Sequence, residues 1–397
     1  MFSILNHYLI ILLGFLLPLS VAGGNLIAGL IIILWFVSGN YRQKITSILN
    51  NKFAIASFLF FLIHIISLIW SQDIDLGIER VKKMLEFGLL IPILISVIHS
   101  RNKHKYLMSF LISMAIVVTA SWLIFFQVIY ISGINHTNPT PFSSHISHGP
   151  MVAITFYISS LLLFSQNWKE LKSRKLYSIF LVLLSVFSMF NVIITLGRAG
   201  QIIFVILFIL FFTQFFGRSI KSISLAAFAI FVIFSIGWLL NSNLQNKFDR
   251  TITNIENIYQ DHNTSLGRRF VMLVNSFEVF KKNPFFGVGI GSFPDAYEKV
   301  MIERSQDVSQ TMALRTKNPH NMYALIAAEM GVFGLIFLLN LYYQQFKLAQ
   351  YQRNNIHNRI SIALLISFIF LNLSDSYFLG HFSSFLYAYL VSIMVAE

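Results

Sequence analysis

The sequence predicts an all-α, polytopic membrane protein, and three observations carry that prediction. Of its 397 residues, 56% are hydrophobic and 11% charged, whereas a soluble globular domain carries about 25% charged residues. The apolar residues are grouped: 53–69, 107–131, 176–196, 200–216, 223–240 and 322–341 are long runs nearly free of charge, and a helix needs about 20 such residues to cross a bilayer core. Finally, a chain of 397 residues laid out in spans of this kind provides about twelve helices and one sizeable loop.

The spans fall near 8–21, 26–38, 53–70, 80–98, 107–131, 150–165, 176–196, 200–216, 222–240, 320–343, 360–373 and 381–395. The first, Tyr8–Val21, has no basic residues before it and no Ala-x-Ala cleavage site after it, so it is expected to be a retained helix rather than a signal peptide. With the N-terminus inside, the cytoplasmic loops collect 15 basic residues, from Arg42 to Arg359, and the short outer connections only Arg80, Lys82, Lys83 and Arg198. That asymmetry puts both termini on the cytoplasmic side. The net charge of +13 is therefore a topology signal and not a nucleic-acid surface. The sequence has no cysteine, which excludes disulfides and thiolate metal sites.

Three regions follow: helices one to nine over 1–240, a large outer loop over 241–319, and the last three helices over 320–397. The loop carries ten of the 29 basic and eight of the 16 acidic residues. Phe248, Ile252, Ile255 and Tyr259 recur in it at helical spacing, as do Leu266, Phe270, Leu273, Val274 and Phe277, so amphipathic helices are expected on the membrane surface or over the bundle. A second, shorter outer loop, Ser132–Gly149, is rich in Pro, Ser, Asn and His.

Asn318-Pro319-His320-Asn321 opens a helix on the outer side. Asn is a good N-cap and Pro is favoured at the first helical position, which puts His320 in the first turn. The partial positive charge there disfavours the imidazolium, and a neutral imidazole facing a polar cavity serves as a general base. An ordinary interfacial helix-start residue is the other reading. Glu329, nine residues on, lies about half a turn round the helix and cannot orient His320; a carboxylate partner has to come from another segment, and Asp375 in the last outer loop is best placed.

Several cations sit where topology or helix dipoles disfavour them. Arg198 occupies Thr195-Leu-Gly-Arg-Ala-Gly200, the tight joint between two apolar spans; it calls for an anion or snorkels to the interface. Ser265-Leu-Gly-Arg268-Arg269 reads as a helix start capped by Ser265, and two arginines there oppose the helix dipole. A bound phosphate accounts for them, since Arg forks match phosphate oxygens; a solvated charged face is the alternative. Asp73-Ile-Asp75 has the spacing of a metal-binding Asp-x-Asp pair, though a short interfacial loop is an ordinary home for carboxylates. His136, His145 and His148 lack a neighbouring acid to complete a metal site and read as binding a polar headgroup or nothing. Gly287-Val-Gly-Ile-Gly291 lacks the strand–turn–helix setting of a phosphate fingerprint and reads as a tight turn after Asn283-Pro284.

Taken in order, four motifs are similar to those of the O-antigen ligase and polymerase superfamily: Thr-Leu-Gly-Arg198-Ala-Gly; Ser265-Leu-Gly-Arg268-Arg269; Asn283-Pro-Phe-Phe-Gly-Val-Gly-Ile-Gly-Ser-Phe293; and His320-Asn-Met-Tyr-Ala-Leu followed by Glu329-Met-Gly-Val-Phe-Gly-Leu335. They cover residues 195–335. The resemblance implies a helical bundle of the glycosyltransferase C type with one large periplasmic loop, in the bacterial inner membrane. It implies transfer of a glycan from undecaprenyl diphosphate, with inversion and without a metal or other cofactor. By position, Arg198 and Arg269 match arginines assigned to the lipid diphosphate, and His320 matches the histidine proposed as base. Arg268 falls where relatives are often uncharged and ranks below Arg269. A family tryptophan is replaced by Leu273, a departure expected to affect packing rather than chemistry. Arg268, Asn321, Asp375 and, at the outer end of one span, Arg80, Lys82 and Lys83 complete the substrate-binding candidates.

The chemistry agrees with that resemblance. A diphosphate leaves readily once its charge is neutralised, which two guanidinium groups achieve as Mg²⁺ does elsewhere, while a sugar hydroxyl must lose its proton as it attacks. The expected activity is therefore an O-antigen ligase acting at the periplasmic face, moving the glycan onto lipid A–core, with membrane lipids as its surroundings and no nucleic-acid partner. A polymerase of the same lipid-linked glycan, or a transferase with a protein acceptor, shares the chemistry and differs in acceptor; one dominant outer loop favours the ligase. A polysaccharide transporter is the reading from a different class. Transporters show inverted repeats, broken helices and paired intramembrane charges; no repeat is visible here, and Glu86 and Glu329 are the main acids within the spans.

Overall fold

A computed structural model describes residues 2–166, 173–240, 245, 249, 252–253, 264–304, 316–350 and 355–396. Among them are sixteen α-helices and no strand. In chain order they are α1 (Phe2–Leu16), α2 (Val21–Val37), α3 (Tyr41–Asn50), α4 (Lys52–Ile66), α5 (Ile74–Lys83), α6 (Ile91–Val97), α7 (Lys103–Phe125), α8 (His145–Phe164), α9 (Lys175–Ile194), α10 (Arg198–Phe215), α11 (Ile220–Leu240), α12 (Ser265–Lys282), α13 (Phe293–Arg304), α14 (Met322–Gln350), α15 (Ile356–Ser374) and α16 (His381–Val395).

Among the described residues, eight helices are long and apolar enough to cross a membrane, nine if α2 and α3 form one broken span. The protein is thus helical and multi-pass. The remainder of the twelve expected spans are shorter or interrupted: α1 and α16 have 15 residues each and α2 has 17. The 80–98 run is divided into the amphipathic α5, a π-helical turn at Glu86–Leu90 and the seven-residue α6.

The chain forms two compact units, each assembled from three separate stretches. The first comprises Met1–Ser38, His99–Asp249 and Ala349–Ser367. Its centre is α8, the most enclosed of the long apolar helices, which packs against α9 and α10. Small residues permit the close approach: a Cβ on Gly200 of α10 would stand 2.5 Å from the Cα of Gly149 on α8, so the two backbones touch. Ser159 and Ser185 add a 2.8 Å hydroxyl contact between α8 and α9.

The second unit comprises Gly39–Ile98, Arg250–Leu348 and Phe368–Glu397. An aromatic core of Phe60, Phe87, Phe368, Phe378 and Tyr387 ties α4, α15 and α16 together. Its defining feature is a break in α14. Gly331 has φ +64° and ψ −156°, which ends the regular ladder in the middle of an apolar helix. In an unbroken helix the amide of Val332 would donate to the carbonyl of Ala328 and that of Phe333 to Glu329. Here all four groups bond instead to the glycine-rich loop after α12. Val288 and Gly289 donate to the Ala328 and Glu329 carbonyls at 2.9 Å each, and Val332 and Phe333 donate to the Pro284 and Phe285 carbonyls at 2.8 and 3.4 Å.

Backbone groups freed inside a membrane protein must be satisfied by protein, and the loop does so by exchange, two helical bonds replaced by four. The turn read after Asn283-Pro284 is therefore an inserted plug, with Gly287, Gly289 and Gly291 all at positive φ. A Cβ on Gly331 would stand 2.2 Å from the Phe285 carbonyl oxygen. A side chain at such a φ costs about 1–3 kcal/mol before any clash. Gly331→Ala should therefore lower the apparent Tm of the detergent-solubilised protein by several degrees. Gly29→Ala, in open space on α2, should leave it unchanged or slightly raised; equal Tm values for the two variants would refute the plug.

Candidate functional site

The site residues of the second unit gather where α14 begins. Asn321, not Asn318, caps this helix: its side-chain oxygen accepts from the Ala324 amide at 2.9 Å, and α14 starts at Met322. His320 consequently lies outside the first turn, in a left-handed conformation with φ +53°, and the helix-dipole argument for its neutrality loses its geometric basis. Asn318 stabilises this turn by accepting from the His320 amide at 3.0 Å and from the Ser376 hydroxyl at 2.8 Å. Asn321 uses its amide nitrogen on the Leu373 carbonyl at 3.0 Å, so this substrate-binding candidate is a clip between α14 and the end of α15.

The His320 ring meets Asp375, the two separated by 3.1 Å between Nδ1 and a carboxylate oxygen. Asp375 is presented by the turn after α15, where it also accepts from the Ser376 amide at 2.7 Å. Its side chain is 15% exposed and that of His320 40%. Burial pushes the Asp375 carboxyl up, but the bond to His320, the Ser376 amide and the nearby charge of Arg269 outweigh it, and the net direction is down. A carboxylate only accepts hydrogen bonds, so a neutral His320 carries its hydrogen on Nδ1 and keeps a lone pair on Nε2.

Arg269 comes from α12. Thr264, not Ser265, caps this helix, its hydroxyl accepting from the Gly267 amide at 3.0 Å, and the arginines fall past the first three residues. Arg268 is exposed and Arg269 half-buried. The helix packs through Met272 and Val279 against Phe293, Tyr297, Val300 and Met301 of α13 and Leu325 and Ala328 of α14. This differs from the expected stripe, since Leu273 and Phe277 are exposed. Apolar spacing marked the helix correctly but named the wrong face, because the buried side also uses Asn275 and Ser276. Of the other expected loop helix, Phe248, Ile255 and Tyr259 lie outside the described residues.

Arg80 is not an exposed phosphate ligand. It is 4% exposed and forms an ion pair with Glu329, itself 2% exposed, while its other terminal nitrogen donates to the Lys317 carbonyl at 2.6 Å. Glu329 also accepts from the amide of Gly291 at 2.7 Å. One buried carboxylate thus joins the broken helix, the plug and the segment leading to His320. The sequence pointed to Glu329 only as an intramembrane acid; that signal, paired with Arg80 at the end of a span, could have located this hub. Lys82 and Lys83 are exposed on α5, with Lys83 paired to Glu79 at 2.8 Å. Asp73 caps α5 by accepting from the Leu76 amide at 2.9 Å, and Asp75 is exposed beside it.

Arg198 belongs to the first unit, where it is half-buried at the start of α10. The joint that carries it is fixed by the Asn138 side-chain oxygen, which accepts from the Leu196 amide at 2.8 Å. Of the histidines on the Ser132–Gly149 loop, His136 and His145 are exposed and His148 is fully buried. His148 bonds Asn191 at 2.9 Å, Asn191 donates to the Ser121 hydroxyl at 2.7 Å, and Ser121 donates to the Pro139 carbonyl at 2.5 Å. His148 anchors the loop to the helices.

Two outcomes are expected. Removing one partner of a buried ion pair costs about 3–5 kcal/mol, so Glu329→Ala should strongly lower the Tm, and Arg80→Met combined with Glu329→Gln should recover much of the loss; no recovery would mean that the loss does not come from leaving Arg80 buried and unpaired. For Asp375, the folded-state value is depressed, so its stabilisation is complete above the ordinary aspartate value near pH 4 and is lost only as pH falls through the lower folded-state value. The Tm difference between the protein and Asp375→Asn should accordingly shrink as pH falls below 4. A difference that instead grows below pH 4 would contradict the assigned contacts.

No curated protein matches the chain. Residues 183–339 match the family described as O-antigen ligase, a stretch that includes Arg198, Arg269, the plug loop, His320 and Glu329 while leaving out Arg80 and Asp375. Over that stretch, the chain is similar to the O-antigen ligase family.

Proposed function

We propose that the protein is an O-antigen ligase that transfers a glycan from undecaprenyl diphosphate to the lipid A–core acceptor at the periplasmic face of the bacterial inner membrane. The single observation that carries this reading is the contact of His320 with Asp375 near the charge of Arg269, with His320 and Arg269 inside the matched O-antigen ligase region. Asp375 fixes the ring so that Nε2 accepts a proton, the role a general base needs. An acceptor hydroxyl attacks the anomeric carbon from the face opposite the diphosphate. Its proton passes to His320 Nε2, the new glycosidic bond forms, and the bond to the diphosphate oxygen breaks with inversion. Negative charge gathers on the departing diphosphate, where Arg269 acts as the neutralising group; Arg198 is the second candidate by position in the family motif. Arg268, exposed next to Arg269, is assigned a lesser, steering part. Lys82 and Lys83 add positive field at the outer end of α5.

A polymerase or a protein-directed transferase would use the same groups with another acceptor. The lipopolysaccharide gel profile of a deletion strain separates these readings: free lipid A–core with accumulated long-chain lipid-linked glycan identifies the ligase, and lipid A–core capped by a single repeat identifies the polymerase. With purified protein, His320→Ala should reduce transfer at least about 10²-fold, the contribution of a positioned base. Arg269→Ala should reduce it about 10²–10³-fold, as for loss of a charge-stabilising donor. Both variants should reach the membrane at normal levels; undiminished transfer in both would defeat the assignment. Chelator should leave the rate unchanged, and a clear loss would bring Asp73 and Asp75 back as metal ligands.

A further inference from the structure

A cavity of the first unit lies in the Ser132–Gly149 loop, a region that the proposed chemistry does not use. It has a volume of about 510 Å³, within the range of small-molecule sites. Its wall is built from Asn135, Asn138, Thr140, Phe142, Ser143 and His145, together with Gly133, Ile134 and Ser144, and contains no Asp, Glu, Lys or Arg. Such a lining offers amide and hydroxyl groups, each able to donate and accept, and one aromatic face. It suits a neutral polyhydroxylated ligand and offers a phosphate nothing to neutralise it.

Two further observations mark the cavity as more than a gap in a loop. The Ser143 hydroxyl is buried yet has no hydrogen-bond partner among the described residues, a state that costs about 1–3 kcal/mol and that rotation of the side chain onto a ligand hydroxyl in the cavity would relieve. Phe142 sits at φ +65° with 43% of its surface exposed. A bulky residue in the left-handed region is an outlier, and such strain concentrates at ligand-binding positions. The cavity is also locked to the Arg198 joint. Asn138 holds the Leu196 amide at 2.8 Å, and a Cβ on Gly197 would stand 2.8 Å from the His145 carbonyl oxygen.

We propose that this cavity is a saccharide subsite, with Phe142 stacking on a pyranose ring and Ser143 and the asparagines bonding its hydroxyls. Resting on the proposed function, it receives sugars of the lipid-linked donor glycan. The shared chemistry, a neutral glycan, occurs in both donor and acceptor, and the test separates them.

The experiment measures equilibrium binding to the full-length protein in detergent by saturation-transfer NMR, with two phosphate-free probes: the O-antigen repeat oligosaccharide and the delipidated, dephosphorylated core oligosaccharide of the same strain. The repeat oligosaccharide should bind, with Kd raised at least tenfold by Phe142→Ala and at least threefold by Ser143→Ala. Ser143→Ala should meanwhile keep or raise the Tm, since it deletes an unsatisfied buried hydroxyl; this keeps the test clear of unfolding. No binding of either probe, or binding indifferent to both substitutions, overturns the subsite. Binding of the core probe alone overturns its assignment to the donor. Because neither probe can react, a protein inactive in transfer that binds the repeat through Phe142 supports the subsite while refuting the ligase reading.

Discussion

The second unit depends on an exchange of backbone hydrogen bonds. Where Gly331 interrupts α14, the bonds that would have linked residues 328 and 329 to 332 and 333 are given to residues 284–289. A helix interrupted among apolar neighbours is costly unless every freed amide and carbonyl finds a partner. The glycine-rich loop has the backbone freedom to supply them. Glu329 sits at the break and extends the exchange to side chains, binding the loop through Gly291 and, through Arg80, the backbone of Lys317. His320 follows three residues later. The ring that faces Asp375 is thus carried on a segment fixed from below by a buried ion pair and from above by Asn318, Asn321 and Ser376.

This exchange explains why motifs far apart in the sequence belong together. Asn283–Phe293 and Glu329–Leu335 are the two halves of one backbone interaction, and Arg80 is the counterion that lets Glu329 be buried. It also bears on the transporter reading. A broken helix and a paired intramembrane charge are transporter hallmarks, and both occur here, but the freed backbone groups and both charges are taken up by contacts within the chain.

Much of this was legible in the sequence. Long apolar runs marked the helices from α7 to α11 and α14, because lipid imposes a strong and simple pattern. The link between His320 and Asp375 followed from elimination, since Glu329 could not reach His320 along one helix. Local detail was less legible. Asn318, Pro319 and Asn321 compete to start α14, and only the bond from the Ala324 amide to Asn321 settles which one caps it. The buried face of α12 was misread because Asn275 and Ser276 are polar yet packed. Arg80 looked like a phosphate ligand because its partner lies 249 residues away in the chain. Periodicity carries no information on such pairs, nor on the plug, whose bonds are made by backbone.

The central claim is that Asp375 acts only by orienting His320 in proton transfer. A double-mutant cycle on the glycan-transfer rate of purified protein, with His320→Ala, Asp375→Asn and the two combined, tests it most directly. Groups that act as one unit are not additive, so the combined variant should be no slower than His320→Ala alone. A combined loss equal to the product of the two single losses would show that they act independently and would contradict the account.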